Sequence, residues 1–251
     1  YKEEPDMRKQ ILMKGNILEL QPDRMTLVLR NGQQNKDIIG GKEEVFAVEH
    51  DFSDTSANNG FRGLYAFLSA QADRKELLLG VRPPAQLEDV KLNGDYGRFN
   101  ELILKEKQAK DYSLLVGPPG TGKTSCALRF MVEEALSEPD TSILLLSYTN
   151  RAVDEICAML TDSGIADRTP FIRIGNELSC DKRFVPYLLK YSLDDCPKLT
   201  DIQQKMARTR IFVGTTTAIN NRLNLFTLKH FQLAIIDEAS QILEPDLIGI
   251  L

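Results

Sequence analysis

No apolar run in the 251-residue chain approaches the ~20 residues that a bilayer span requires, which argues against membrane insertion. Cysteine is sparse: Cys126, Cys157, Cys180 and Cys196 never meet at a C-x-x-C spacing, and His50 and His230 are the only histidines. A metal or iron–sulfur cluster in this stretch is therefore not expected, and a reducing, cytoplasmic setting is. Two of the cysteines fall inside amphipathic helical patterns and read as small buried hydrophobes. A basic excess is also lacking. The net charge of −5 argues against a protein that coats nucleic acid by bulk attraction, although a narrow track of local backbone contacts remains open to an acidic protein. Neither an internal repeat nor a low-complexity tract is present. Tyr1 opens the chain with no initiator methionine and no signal-peptide pattern, so the expectation is a piece of something longer.

What is there suits an ordinary soluble globular protein of two folding units, with 42% hydrophobic and 27% charged residues. The first fifty or so residues read as β structure: Ile17 to Leu20, then Arg24 to Arg30 with alternating Met25, Leu27 and Leu29, then Val45 to Val48. Asn31-Gly32 supplies a turn in which both residues tolerate positive φ, and a small β-barrel or curled sheet is expected. Phe61 to Leu79 has helical spacing and stops at Gly80; Val81-Arg82-Pro83-Pro84 cannot continue it. The junction is placed there, giving domains over 1–90 and 91–251.

Beyond Asn93 short apolar strands alternate with helices, the pattern of a parallel α/β sheet. The strands expected are Ser113 to Val116, Ser142 to Leu146, Phe171 to Ile174, Ile211 to Val213 and Leu233 to Ile236. Ala127, Phe130, Met131 and Ala135 mark one apolar helical stripe; Val153, Ile156, Cys157 and Leu160 mark another.

Between the first of those strands and a helix stands Gly117-Pro118-Pro119-Gly120-Thr121-Gly122-Lys123-Thr124, followed by Ser125, a fit to G-x-x-x-x-G-K-[ST]. Glycines there let backbone N–H groups turn onto phosphates, the helix adds its positive end, and Lys123 can reach β/γ oxygens. Thr124 would hold Mg²⁺ through its hydroxyl. Leu233-Ala234-Ile235-Ile236-Asp237-Glu238 is an apolar strand ending in two acids, at the sheet's carboxyl edge, where ligands bind in such folds. Such a pair is also a common solvated loop start; beside a phosphate loop, Asp237 faces the metal and Glu238 is the candidate base or water-orienting group. Ser147-Tyr148-Thr149-Asn150-Arg151-Ala152-Val153-Asp154 opens a helix after the second strand, where Thr149 or Asn150 serves equally well as a plain N-cap.

Taken with Asp237-Glu238-Ala239-Ser240-Gln241, that stretch resembles superfamily 1 helicases, in the branch holding the eukaryotic replication helicase–nuclease and the nonsense-mediated-decay RNA helicase. The branch writes T-N-x-A-V-D and D-E-A-S-Q at these places. Arg173-Ile174-Gly175, Gly214-Thr215-Thr216-Thr217-Ala218 and Glu244-Pro245 are similar to further stretches of it, and the amino-terminal part resembles its accessory barrel on a helical stalk. The resemblance implies a RecA-like domain that uses ATP and Mg²⁺ to move on single-stranded DNA or RNA. It implies that Thr149, Asn150, Thr215 and Thr216 approach the strand backbone, and that Gln241 couples phosphate state to that grip. Asn100 stands about where the branch reads adenine with a glutamine, and has a shorter amide. A second RecA-like domain carrying an arginine finger is expected in the parent chain, nuclear in a eukaryote and nucleoid-associated in a bacterium. DNA is favoured over RNA by the Arg173 to Gly175 stretch. A protein-remodelling ATPase of the AAA+ kind can share the phosphate loop, but has no reason to carry the other two stretches together; a nucleotide-binding module without hydrolysis would not require Glu238.

Overall fold

The computed structural model describes residues 13–29, 45–49, 55–118 and 120–251. Two compact units divide the chain, Tyr1–Asp54 and Thr55–Leu251. In the first, β1 (Gly15–Leu20) and β2 (Met25–Leu29) form an antiparallel pair in which Gly15 faces Leu29 and Leu20 faces Met25. The Gln21 N–H closes the connection onto the Arg24 carbonyl at 2.7 Å. The alternation predicts one buried face. Instead Ile17, Leu18, Leu20, Met25 and Leu27 are all exposed, as befits a hairpin with no third described strand to cover it. Val45 to Val48 is not a strand; only Phe46 makes an isolated bridge, and Val45 and Val48 face solvent. Arg30 and the Asn31-Gly32 turn lie outside the described residues, and so does much of the expected barrel.

The second unit begins with α1 (Thr55–Ser69) and α2 (Ala72–Leu78), two helices where the spacing predicts one. The break falls at Gln71, whose extended backbone starts α2 afresh. Gly80 then takes φ +70, a conformation glycine adopts without a Cβ penalty. A 3₁₀ turn, Gly97–Phe99, leads into α3 (Asn100–Gln108). Next come a π-helical turn, Lys123–Leu128, running into α4 (Arg129–Leu136), β3 (Ile143–Ser147), α5 (Asn150–Asp162), α6 (Ile165–Arg168) and β4 (Phe171–Ile174). The chain continues through α7 (Leu189–Ser192), α8 (Leu199–Arg208), β5 (Ile211–Thr215), α9 (Thr216–Asn220), α10 (Leu225–Leu228), β6 (Leu233–Asp237) and α11 (Glu244–Ile248).

Four strands form a parallel sheet in the order β4-β5-β3-β6. Parallel neighbours need crossover connections, and helices supply them on both faces, so the sheet residues read as near-continuous apolar runs. Alternate side chains of β3 point to opposite sides. Ile143 and Leu145 join Val132, Val153, Ile156, Cys157 and Leu160 in one core, whereas Leu144 and Leu146 join Phe212, Met206, Ile219 and Leu225 in the other. The stripe expected on α5 is thus buried throughout. The stripe on the helix after the phosphate loop is partly rotated: Ala127 is buried as expected, but Phe130, Met131 and Ala135 are half-buried while Leu128 and Val132 are buried. The π-helical turn accounts for this, because i→i+5 bonding shifts the face set by a 3.6-residue period.

Ser113 to Val116 is not a strand. Its backbone joins no ladder, and Leu114 and Val116 are 78% and 92% exposed. Apolar sequence alone does not make a strand where no described neighbour supplies hydrogen bonds. Elsewhere, α1 crosses α11 at Gly63, where a Cβ would overlap the Pro245 carbonyl oxygen, and buried Asn220 donates to the Asp246 carbonyl at 2.6 Å.

Candidate functional site

Because the strands are parallel and in register, their carboxyl ends collect at one edge. Ser147 of β3 pairs with Thr215 on one side and Asp237 on the other. Three motifs far apart in sequence are thereby brought level with each other.

The phosphate loop meets this edge at Asp237. Gly120 and Gly122 sit at φ +79 and +86, where a side chain would be strained. Thr121 donates its hydroxyl to the Pro118 carbonyl at 2.8 Å. The Lys123 ammonium folds back on its own loop, donating to the Gly117 and Pro118 carbonyls at 2.5 and 3.2 Å. Ser125 is exposed, and Pro119 lies outside the described residues. The Thr124 hydroxyl donates to Asp237 Oδ2 at 2.7 Å across 113 positions of sequence. A hydroxyl and a carboxylate held together in this way are hard oxygen donors of the kind Mg²⁺ takes.

After Asp237 the backbone turns abruptly. Glu238 adopts φ +55, a left-handed conformation that costs a non-glycine residue ~1–2 kcal/mol. Its N–H donates to Asp237 Oδ1 at 3.0 Å, and its exposed carboxylate accepts from Gln241 Nε2 at 3.3 Å. Backbone strain of this sort gathers at functional sites.

Of the four residues expected to approach a strand, Thr149 and Thr215 each cap a helix, accepting from the Ala152 and Ala218 N–H groups at 3.2 and 3.1 Å. Thr149 and Asn150 are exposed, whereas Thr215 and Thr216 are buried. Asn100 has both ends of its amide engaged: Oδ1 accepts from the Tyr96 N–H at 2.7 Å and Nδ2 donates to Asp95 at 2.8 Å.

Two polar arrangements are not announced by any motif in the sequence. Arg173, 1% exposed, pairs with Asp154 and thereby ties β4 to α5, while Asp154 also accepts from the Asp181 N–H at 3.3 Å. Burial pushes the neighbouring Cys157 thiol up to about 12, against the pull of the Arg173 charge, which leaves it a protonated core residue. Glu134 is buried among four donors. It stands seven residues after Ala127 and four after Phe130, inside the apolar stripe. An acid in such a stripe signals waiting partners.

A parallel α/β sheet with a phosphate loop meeting an acidic strand end is the architecture of P-loop nucleotide-using proteins. Residues 99–211 match the AAA domain family. The chain is 37% identical over 158 residues to DNA replication ATP-dependent helicase/nuclease JHS1 of Arabidopsis thaliana, covering 63% of this chain and 11% of that protein. It is 32% identical over 149 residues to DNA replication ATP-dependent helicase/nuclease DNA2 of Saccharomyces cerevisiae, covering 59% and 9%. It is 38% identical over 125 residues to DNA polymerase alpha-associated DNA helicase A of Schizosaccharomyces pombe, covering 47% and 17%. Residues 99–211 are thus similar to an AAA domain, and the chain is similar to these helicases, of whose lengths it spans only 9 to 17%. Among the described residues no helix is long and apolar enough to cross a membrane.

Proposed function

We propose that this chain is the first motor domain of an ATP-dependent helicase or translocase that acts on single-stranded nucleic acid. The observation that carries the reading is the 2.7 Å bond between Thr124 and Asp237, which joins a phosphate loop to an acidic strand end. The relatives' names speak of DNA and of replication, so DNA is the proposed track and replication or repair the setting. The working place is then with the DNA, nuclear in a eukaryote and nucleoid-associated in a bacterium.

Thr124 and Asp237 would hold Mg²⁺, which when bound supplies positive charge for the β and γ oxygens. Lys123 exchanges its two carbonyl acceptors for those oxygens, so that its ammonium, already a charged donor, gains a charged acceptor. The left-handed glycines leave the loop's N–H groups free to turn toward phosphate, and the helix end adds its dipole. Glu238 accepts a proton from, or orients, the attacking water. Gln241, already bonded to Glu238, registers whether that carboxylate is engaged and passes the state to Thr149, Asn150, Thr215 and Thr216 along the same edge. Thr149 and Asn150 are the exposed contacts for a strand; buried Thr215 and Thr216 shape the edge behind them. An arginine finger from a second RecA-like domain of the parent chain completes the charge around the γ-phosphate and contributes ~10³ to 10⁵-fold to turnover.

Steady-state phosphate release from this chain, beside the longest soluble parent chain, tests the reading with and without single-stranded DNA or RNA. Slow turnover with little strand stimulation is expected here, and brisk strand-stimulated turnover, stronger with DNA, in the parent. Brisk, strand-stimulated hydrolysis by this chain alone would overturn the role given to a second domain. A parent that ignores both strands would overturn the motor itself and favour a remodelling ATPase.

A further inference from the structure

A charged pair lies in the apolar layer between the sheet and α5. Ile143, Leu145, Phe171 and Val213 face that layer from the strands, and Val153, Ile156, Cys157 and Leu160 face it from the helix. Arg173 follows Phe171 by two residues on β4 and so points the same way. It is 1% exposed and pairs with Asp154 of α5. Asp154 also accepts from the Asp181 N–H at 3.3 Å, which brings the segment after β4 to the same junction. Among the described residues, the buried Arg173 Nε has no hydrogen-bond partner.

As a means of holding two elements together, the pair is a poor choice. Taking two charges out of water costs heavily, and apolar side chains of similar volume hold as well or better. What a charged pair adds is direction. Apolar cores accept several packings of the same volume and lose uniqueness before they lose stability, whereas a planar guanidinium and a carboxylate meet in few orientations.

The setting so fixed bears on the edge where the motifs collect. Arg173 pairs in the ladder with Val213, and Val213 with Leu145. Thr215 and Ser147 lie two residues further on, ~7 Å along a strand. Thr149 caps α5 just beyond Ser147, and Asn150 precedes Asp154 by four residues, the spacing at which helical side chains share a face. Thr149 and Asn150 are both exposed. Their placement therefore follows that of Asp154.

We infer that Arg173 and Asp154 are positioning residues: the pair sets α5 over the sheet so that Thr149 and Asn150 meet the backbone of a single strand at the carboxyl edge. This rests on the motor reading above and adds to it a separation of tasks. The pair governs grip on the strand through the first turn of α5 and takes no part in binding nucleotide. The stability it supplies can be replaced by apolar side chains.

The test titrates the longest soluble parent chain with a single-stranded oligothymidylate, at one fixed salt concentration, and separately with Mg·ATP, alongside thermal melts. The double variant Asp154→Leu/Arg173→Met should melt at or above the wild-type temperature and bind Mg·ATP unchanged. Its affinity for the oligonucleotide should fall by about tenfold, the scale of one or two neutral hydrogen bonds. Asn150→Ala should weaken strand binding by a few-fold. Because the pair acts partly through Asn150, the losses should be less than multiplicative when all three substitutions are combined. A folded double variant that grips the oligonucleotide as the wild type does, equal weakening of both ligands, or fully multiplicative losses would each overturn the inference. If the double variant fails to melt cooperatively, Arg173→Lys decides, since it keeps the charge and loses the planar fork. Weaker strand binding with unchanged Mg·ATP affinity supports the proposal, and unchanged strand binding overturns it. A wild-type parent that binds Mg·ATP but no single strand would instead bring down the motor reading itself, an outcome distinct from those above.

Discussion

Two leucine-containing tetrapeptides in this chain, both of which the sequence predicts as strand, have opposite fates. Ile143-Leu144-Leu145-Leu146 is the buried middle of the sheet, paired on both sides by β5 and β6. Ser113-Leu114-Leu115-Val116 runs in the open with no ladder, immediately before the phosphate loop. Local apolarity is shared, so it does not decide the outcome. What differs is the supply of neighbours: β3 has a strand on each side and helices on each face, and each buried Leu or Ile there gains ~1.5–3 kcal/mol from leaving water. The stretch before the loop is held at its root and by the Ser113 hydroxyl, which donates to Glu106 at 3.0 Å. Asp111 accepts from Arg82 at 2.7 and 3.2 Å and from the Ala85 N–H at 2.7 Å. The phosphate loop thus hangs from a clip at one end and from the Thr124–Asp237 bond at the other, while Asp237 and Thr215 each end a strand paired with β3.

The strongest way to exploit this contrast is at the strand-anchored end. Glu238→Gln keeps size and polarity but removes the base, so in the parent chain nucleotide binding should survive while turnover falls by ~10² to 10⁴-fold. Rapid-quench measurement of phosphate release checks it; turnover near normal would assign the water to another group. Next in size is the contrast between the tetrapeptides. Leu145→Ala should cost ~2–5 kcal/mol because a fully buried side chain leaves a cavity, whereas Val116→Ala should stay within about 0.5 kcal/mol, as surface changes do. Urea unfolding of the two variants side by side would break the comparison if the losses came out alike.

The smallest expected effect concerns the clip. Arg82, then the Ala85 N–H, hold the Asp111 carboxyl at about 2, below its ordinary value. A depressed carboxylate contributes stability that is present above its unfolded value of ~4 and lost as pH falls through its folded one. Wild type should therefore out-last Asp111→Asn in urea at pH 6, with the gap closing between about pH 4 and pH 2. A gap independent of pH would mean that the clip acts by shape alone.

Much of the site is legible in the amino-acid sequence, for a physical reason. A phosphate loop, an acidic strand end and a threonine cap are each set by short-range sequence, and a parallel sheet brings strand ends to one edge whatever their separation. Ser147, Thr215 and Asp237 meet for that reason. Features that depend on what lies across the fold are harder to read. The expected strand before the phosphate loop fails because its partners, not its residues, decide pairing. The stripe on α4 is partly rotated because a π-helical turn is invisible to a 3.6-residue template. Arg173 and Asp154 belong to two separate motifs, and nothing in either foretells that they pair in the core. Glu134 leaves a trace, an acid in an apolar stripe, but its four donors come from 27 to 41 positions away. Asn100 matches a base-reading role by spacing; its amide is engaged with Asp95 and Tyr96 instead.

The central claim is that the loop between the open tetrapeptide and the π-helical turn binds the phosphates of ATP, with Lys123 as their principal counter-charge. Equilibrium titration of the chain with Mg·ATP, wild type beside Lys123→Ala, tests it most directly. The account predicts saturable binding by the wild type and its loss in the variant, because the alanine leaves the β/γ charge without the one side chain that neutralises it. Wild-type affinity in Lys123→Ala would contradict the assignment of the loop and everything built on it.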